Sequence, residues 1–571
     1  MTALSLLTPS LRVISARDGT IYESIVAPAA PAARIGDWLA HWARERPDTT
    51  FLAERVDGMW RRITYSSALR SVQGIAGRLA TLGASQRHGV MVLSDNSIAH
   101  ALVALAAMHA GSFVVPISTA YSLSSSTFGR LRTIAERIEP AVVFVETRAP
   151  FERALDVIRA PHVIDAGDVA HASTAEPLVA RDGAIAKILF TSGSTGEPKG
   201  VINTHAMLTS NQEGLFAAWP FLADEPPVIV DWLPWSHTFG GNHDFHLVLR
   251  HGGTLYVDRG RPAPGLLDTT LENLADVGPS LWFNVPRGYD QAVDALEKRP
   301  ELARAVFRNL RLAFYAAASL SQSTRSRLEA LAKSAGNPDL FLTSAWGSTE
   351  TSPLATSAHF HTPRAGVLGI PIPGVRIKLA PVEDRLELRV QGPSVTPGYW
   401  QRGGAIEPVT LDADGFLPTG DAGCLVDEAH PEAGFRFVGR LSENFKLSSG
   451  TWVSVGPLRL ALIDACAPML ADVIVAGHDR EALGALLVVA PAYASERARL
   501  ESALRDYDRA HPASSEHIAR ALVLDRPPSL DDGEITDKGT INQRRVLERR
   551  ATDVERLFAT PAAPDVMVLD R

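Results

Sequence analysis

Residues 190–201 read FTSGSTGEPKGV. Gly193 and Gly196 carry no Cβ, so the backbone there can curl tightly and come close to a ligand. Thr191, Ser192, Ser194 and Thr195 add hydroxyl donors. Successive backbone N–H groups in such a turn form an anion-binding nest, and Lys199 adds a mobile positive charge. The stretch reads as a polyphosphate cradle. Gly/Ser/Thr-rich loops are more often flexible linkers; the Pro-Lys-Gly ending and a strand-like apolar segment on each side set this one apart.

Three phosphate-associated patterns compete for the loop. A Walker loop, GxxxxGK[ST], started from Gly193 needs glycine at 198 and Ser or Thr at 200, where Pro198 and Gly200 stand. A serine-hydrolase elbow, GxSxG, needs a residue between its first glycine and its serine, yet Ser194 follows Gly193 directly. The third pattern, [ST]SG[ST][ST]GxPKG, matches residue for residue. On that match the sequence resembles the adenylate-forming superfamily of acyl-CoA synthetases, coumarate–CoA ligases and luciferases. The resemblance runs from about residue 35 to 550.

The resemblance implies roles for the loop and for further stretches that follow in the family's order. Thr191, Ser192, Gly193, Ser194, Thr195, Gly196 and Lys199 would hold the ATP phosphates. WLPWSHTFGGN (232–242) is similar to the aromatic–histidine motif, with His237 beside the carboxylate pocket and Phe239 and Gly240 in its wall. YAAASLSQ (315–322) fits the adenine-contacting segment, with Ala317 and Ala318 at the nucleotide. Tyr315, Ala316 and Phe283 would then line the acyl pocket, with Trp282, Tyr289 and Trp346 as further aromatic candidates. SAWGSTETS (344–352) resembles the YGxTE element, Trp346 replacing its tyrosine and Gly347 and Ser348 facing the nucleotide. There Thr349 would contact phosphate and Glu350 would hold Mg²⁺; a carboxylate beside a hydroxyl suits an ion that rides on phosphates.

LPTGDAG (417–423) and GRLSENFK (439–446) resemble the family's ribose and hinge motifs. Asp421 and Arg440 would bind the ribose hydroxyls, one as acceptor and one as a fork of donors. Ser442 stands where the hinge residue belongs. GEITDKGTINQRRVL (533–547) departs from the family's PxTxxGK ending. Lys538 is the only lysine in the last hundred residues and the candidate adenylation lysine, with Lys446 the second.

A metal site is the rival reading of His237, His243, Asp244, His246 and His251. His243 and His246 are three apart and can share a helix face, but no HExxH occurs. Packing plus an ordinary hydrogen bond is the expectation for both.

The implied chemistry converts a carboxylate into a mixed anhydride with AMP, expelling pyrophosphate. Coenzyme A thiol then attacks and gives a thioester. ATP, Mg²⁺ and coenzyme A are therefore the expected cofactors and co-substrates. LSSGTWVSVGPLR (447–459), GEITDKGTINQ and residues 231–262 look like the feruloyl-CoA synthase branch, which favours a hydroxycinnamic acid such as ferulate. A fatty acyl-CoA or acyl-AMP ligase is the alternative, with a metal-dependent hydrolase and a non-catalytic nucleotide binder further behind.

Positioning this loop takes a sheet. VMVLSD (90–95), FVVPIS (113–118), AVVFVE (141–146) and AIAKILF (184–190) are buried-strand runs alternating with helical stretches, an α/β pattern. The run 98–117 reads as a buried helix, a glycine stop and a strand rather than a membrane span. Residues 35–84 carry helical segments, IGDWLAHWARERP among them, and Thr204 can cap a helix. From 365 to 440, short strands between Gly/Pro turns suggest a small β-rich unit, followed by a mobile α+β block. The expected domains are 1–440, an adenylate-forming domain of α/β subdomains plus the β-rich unit, and 441–571. A net charge of −8 argues against a nucleic-acid face, and two distant cysteines in no CxxC pattern fit a reducing cytoplasm. No signal-peptide pattern opens the chain, no membrane partner is expected, and a homodimer remains an option for its assembly.

Overall fold

The computed structural model describes residues 4–172, 178–179, 181, 183–191, 197–362, 364–536 and 540–569. The apolar segments flanking the Gly/Ser/Thr loop form antiparallel strands, Ile185–Thr191 and Lys199–Thr204, with Lys199 opposite Thr191 at the open end. They lie within an eight-stranded sheet. Val114–Pro116, Val90–Val92, Val142–Phe144 and His162–Ile164 continue it in parallel on one side. Gly398–Trp400 and Ile406–Pro408 extend it antiparallel on the other. Unbroken Val/Ile runs rather than alternation fit strands covered on both faces.

The second sheet has fifteen strands. Its centre is parallel: Thr50–Val56, Thr254–Val257, Val228–Asp231, Leu281–Asn284, Leu312–Tyr315 and Phe341–Gly347. The β-rich unit expected at 365–440 is the antiparallel continuation of this sheet and not a separate layer. It runs through Leu354–Ser357, Val367–Pro371, Phe435–Arg440, Leu417–Leu425, Arg385–Gln391 and Arg376–Val382. Helix Ile98–His109 is buried from Ile98 to Met108, in keeping with a sequence apolar on every face. Ser97 caps it and Thr204 caps His205–Ala218, each hydroxyl accepting from a backbone N–H in the first turn at 3.0 and 3.2 Å.

The helical segments expected within 35–84 are Ile35–Glu45 and Tyr65–Thr81. Between them residues 50–64 form a hairpin of strands Thr50–Val56 and Met59–Thr64. Asp57 and Gly58 both take positive φ, 49° and 79°, the two-residue turn that Asp-Gly favours between strands. Leu11–Ala16 and Gly19–Ser24 make a second hairpin that pairs with Arg376–Val382.

Beyond residue 441 the sheets are built from C-terminal residues alone. A two-stranded ribbon, Phe445–Lys446 with Trp452–Val453, precedes a four-stranded sheet of Leu470–Ala476, Leu483–Val489, Ile518–Val523 and Val566–Val568. Two apolar clusters of this region draw only on residues from 445 onward. Among the described residues no helix is long and apolar enough to cross a membrane.

Candidate active site

In parallel sheets ligands bind beyond the carboxyl ends of the strands. Here the ends of Leu281–Asn284, Leu312–Tyr315 and Phe341–Gly347 lie side by side. The last of them runs directly into the short turn Thr349–Thr351 that carries Glu350. That turn is tied to the hairpin of Ile185–Thr191 and Lys199–Thr204 and to the helix that follows it. Asn203 Nδ2 donates to the Thr349 carbonyl at 3.4 Å, and Asn211 Nδ2 to the Thr351 carbonyl at 3.2 Å. Thr396 donates its N–H to the Glu350 carbonyl at 2.8 Å and its hydroxyl to the Ile202 carbonyl at 2.7 Å. Ser192, Gly193, Ser194, Thr195 and Gly196 lie outside the described residues. Thr191 and Lys199 bracket them at the mouth of the hairpin.

The Glu350 carboxylate is partly exposed, and Tyr399 hydroxyl lies 3.4 Å from its Oε1. Burial and the neighbouring Glu350 charge raise the Tyr399 pKa, so the phenol keeps its proton and donates. Lys199 Nζ sits 5.0 Å over the Tyr399 ring. Among the described residues no three His, Cys, Asp or Glu converge to hold a metal. One carboxylate beside a hydroxyl is a poor cage for a resident ion but fits Mg²⁺, which keeps several waters and binds through substrate phosphates.

Asp421 and Arg440 face each other across paired strands, Oδ1 3.0 Å from Nε. Trp346, buried at the end of Phe341–Gly347, donates its indole N–H to Asp421 Oδ2 at 2.9 Å. Burial pushes the Asp421 carboxyl up and Arg440 opposes that rise. Oδ1 accepts no hydrogen bond among the described residues, and an orphaned acceptor beside a guanidinium is the chemistry a sugar hydroxyl would meet. Ala317 has φ 72° and is exposed with Ala318 just past Leu312–Tyr315; Gly347 is also exposed and Ser348 half-buried.

The aromatic wall differs in part from the sequence expectation. Phe239, Phe283 and His243 gather around Phe314, with ring centroids 5.6, 5.5 and 5.0 Å from it. Tyr315, Trp282 and Tyr289 instead pack in a separate cluster with Leu271 and Phe307. Strand alternation explains the exchange: Phe283 is registered opposite Phe314, whereas Trp282 and Tyr315 point to the other face. Ala316 packs against the cluster that contains Phe283 and Phe314. Phe314 was recoverable from the pleat once Phe283 was placed.

Residues Phe239–Asp244 form one turn of π-helix, and the Gly241 N–H donates to the His237 carbonyl at 2.8 Å. A Cβ at Gly240 would lie 2.3 Å from the Leu233 carbonyl oxygen, part of a backbone that cannot yield as a side chain can. Gly240→Ala is therefore expected to cost about 2–3 kcal/mol of stability by overpacking. It should also raise the KM for the acid while leaving that for ATP within twofold, read by denaturant unfolding and steady-state kinetics.

Among the described residues His237, His243, His246 and His251 join no group of three metal-binding side chains. His243 Nδ1 pairs with Asp244 at 2.6 Å, and burial lowers the His243 pKa to about 3. His251 is buried and likewise lowered to about 3. The ordinary hydrogen bond expected at His246 is absent, since neither of its buried ring nitrogens has a partner among the described residues.

The C-terminal block contacts the N-terminal region at Ser125 and Ser126. Asp531 accepts from the hydroxyls of Ser125 and Ser126 at 2.5 and 2.7 Å and from the Ser126 N–H at 3.0 Å. Lys538 lies outside the described residues. Lys446 is engaged elsewhere, 3.4 Å from Asp384 and 4.7 Å over the Trp452 ring. Ser442 is exposed in the turn that follows Phe435–Arg440.

The family model for AMP-binding enzymes matches residues 39–400. The chain belongs to the AMP-binding enzyme family. The model for the AMP-binding enzyme C-terminal domain matches residues 445–562. Long-chain-fatty-acid–CoA ligase FadD15 of Mycobacterium bovis is 25% identical over 90% of this chain and 95% of that protein. A 3-[(3aS,4S,7aS)-7a-methyl-1,5-dioxo-octahydro-1H-inden-4-yl]propanoyl:CoA ligase of Mycobacterium tuberculosis is 27% identical over 86% of this chain and 95% of that protein. ATP-bound MatB from Rhodopseudomonas palustris superimposes with a TM-score of 0.71 at 22% identity, covering 91% of this chain and 99% of the other. The fold is thus that of adenylate-forming enzymes, a large N-terminal domain followed by a small C-terminal one. Adenylate-forming CoA ligases of the AMP-binding family use ATP, Mg²⁺ and coenzyme A. Family membership supports ATP-dependent, AMP-forming acyl-CoA ligation as the activity of this chain.

Proposed function

We propose that this AMP-binding enzyme ligates a hydroxycinnamic acid, ferulate in the first instance, to coenzyme A through an acyl-adenylate. The observation that carries the site is the joining of three parts at one sheet end. These are the phosphate hairpin, the Glu350 turn bonded to it, and the Asp421–Arg440 pair reached through Trp346. Phe239, Phe283 and Phe314 pack edge-to-face as an aromatic cluster, and Phe239, its partly exposed member, is the ring an aromatic acid would meet.

In this reading Lys199 and the loop it closes neutralise the outer phosphates. Glu350 would hold the phosphate-bound Mg²⁺ and Thr349 would contact the phosphate; the ion would supply charge that polarises the phosphate oxygens and eases loss of pyrophosphate. Asp421 accepts from the ribose hydroxyls, Arg440 donates to them, and Trp346 keeps Asp421 in place. The backbone at Ala317, Ala318, Gly347 and Ser348 takes the adenine side, and His237 borders the carboxylate. The acid's carboxylate oxygen bonds to the α-phosphorus as the bond to pyrophosphate breaks; positioning and charge neutralisation do most of the catalysis. Lys538 supplies the cation shared by carboxylate and α-phosphate. The chain then divides into 1–440 and 441–571. Rotation about Ser442 clears Lys538 from the path of the coenzyme A thiol, a hinge motion of general type. Both cysteines are free, in keeping with work in a reducing cytoplasm.

The names of the two ligases above favour a second reading, an aliphatic or polycyclic acid. A panel of acids with ATP, Mg²⁺ and coenzyme A separates them. The aryl reading expects ferulate and coumarate to exceed decanoate and palmitate in kcat/KM by tenfold or more. The reverse order assigns the enzyme to fatty acids.

A further inference from the structure

We propose that Tyr399 is a positioning residue that couples the phosphate-loop lysine to the metal-holding carboxylate. The inference rests on the reading of Glu350 as that carboxylate. Tyr399 belongs to a three-residue strand, Gly398–Trp400, that leaves the antiparallel end of the large sheet and joins the phosphate hairpin. There Tyr399 is registered opposite Val201 and Trp400 opposite Gly200, next to Lys199. The phenol then serves two partners at once. Its ring lies under Lys199 Nζ at 5.0 Å, and its hydroxyl reaches Glu350 Oε1 at 3.4 Å.

The placement is fixed from the strand's start. Thr396 binds the Glu350 carbonyl with its N–H and the Ile202 carbonyl with its hydroxyl, and the Gly398 N–H donates back to that hydroxyl at 3.2 Å. The Glu350 main chain is thus tied to the hairpin by Thr396 and its side chain by Tyr399. Without the phenol, the carboxylate keeps its backbone anchor but loses the one side-chain donor found for it among the described residues. A carboxylate free to rotate holds a phosphate-bound divalent ion less well, because orienting partners tune ligand geometry. The ring has a separate duty. A cation held over an aromatic face loses reach as well as freedom, so Tyr399 keeps Lys199 at the mouth of the loop.

Mn²⁺ replaces Mg²⁺ as probe, bound to the full-length protein with α,β-methylene-ATP and titrated by electron paramagnetic resonance. Tyr399→Phe keeps the ring and removes the hydroxyl. It is expected to weaken Mn²⁺ binding in the ternary complex by about 10-fold, the lower end of the range for groups that orient metal ligands. The rate at which supplied acyl-adenylate is converted to thioester should stay within twofold, which shows the variant folded. Glu350→Gln should weaken Mn²⁺ at least as much, and the double variant no more than Glu350→Gln alone. Tyr399→Leu should in addition raise the KM for ATP above that of Tyr399→Phe. An unchanged Mn²⁺ affinity in Tyr399→Phe beside a weakened Glu350→Gln overturns the role of Tyr399 and leaves the enzyme assignment standing. Additive losses in the double variant overturn it too. Unchanged Mn²⁺ binding in Glu350→Gln removes the metal assignment and the role of Tyr399 with it.

Discussion

Lys538→Ala is expected to lower acid-dependent exchange of pyrophosphate into ATP by about 10²–10³-fold, the range for losing one preorganised charge at a developing transition state. The same variant should convert supplied acyl-adenylate and coenzyme A to thioester at a rate within a few-fold of the parent. The asymmetry follows from the order of events. The cation is needed while negative charge builds between carboxylate and α-phosphate, and it has no task once the anhydride exists. Two observations support the proposed choice of Lys538 over Lys446. The segment just before it, through Asp531, is bonded to Ser125 and Ser126 of the N-terminal region. The competing Lys446 is occupied by Asp384 and Trp452. Separate assays of the two half-reactions decide it; loss of exchange in Lys446→Ala but not in Lys538→Ala would exchange their roles.

Asp421→Ala is expected to raise the KM for ATP by about 10–100-fold, since each hydrogen bond to a charged group contributes about 1.5–3 kcal/mol. The KM for the acid should move little. Stability should fall as well. Truncation leaves the buried Trp346 indole N–H without its acceptor and Arg440 without its counter-ion, and an orphaned buried donor costs about 1–3 kcal/mol. Isothermal titration with ATP, alongside denaturant unfolding, separates the two effects. Trp346→Phe discriminates further: it deletes only the indole donor, so a smaller rise in the KM for ATP with Asp421 intact marks Trp346 as support for the ribose pair. An unchanged ATP affinity in Asp421→Ala would remove the pair from the nucleotide site.

The two strands flanking the loop were legible because a run such as Ile185–Thr191 is apolar and rich in β-branched residues and ends at serine and glycine, signals that need no tertiary partner. Helix Ile98–His109 was legible for the same reason. The hairpins at 11–24 and 50–64 carry a turn signal of their own in Asp18-Gly19 and Asp57-Gly58. Other features lay beyond a local reading. That the β-rich unit merges with the large sheet depends on Leu354–Ser357 pairing with Phe341–Gly347 and Val367–Pro371. That Gly398–Trp400 deserts its neighbours for the phosphate hairpin is a contact across nearly two hundred residues, invisible in a three-residue strand. Tyr399 was missed with it. The exchange of Tyr315 for Phe314 arose because alternation separates the two faces of a strand but does not say which one meets the ligand.

The most direct measurement is exchange of radiolabelled pyrophosphate into ATP by the purified full-length protein, with Mg²⁺ and without coenzyme A, across aromatic and aliphatic acids. The expected result is exchange that depends on the acid and is strongest with ferulate or a close hydroxycinnamate. Absence of exchange with every acid, under conditions where the protein is folded and binds ATP, would contradict acyl-adenylate formation at this site.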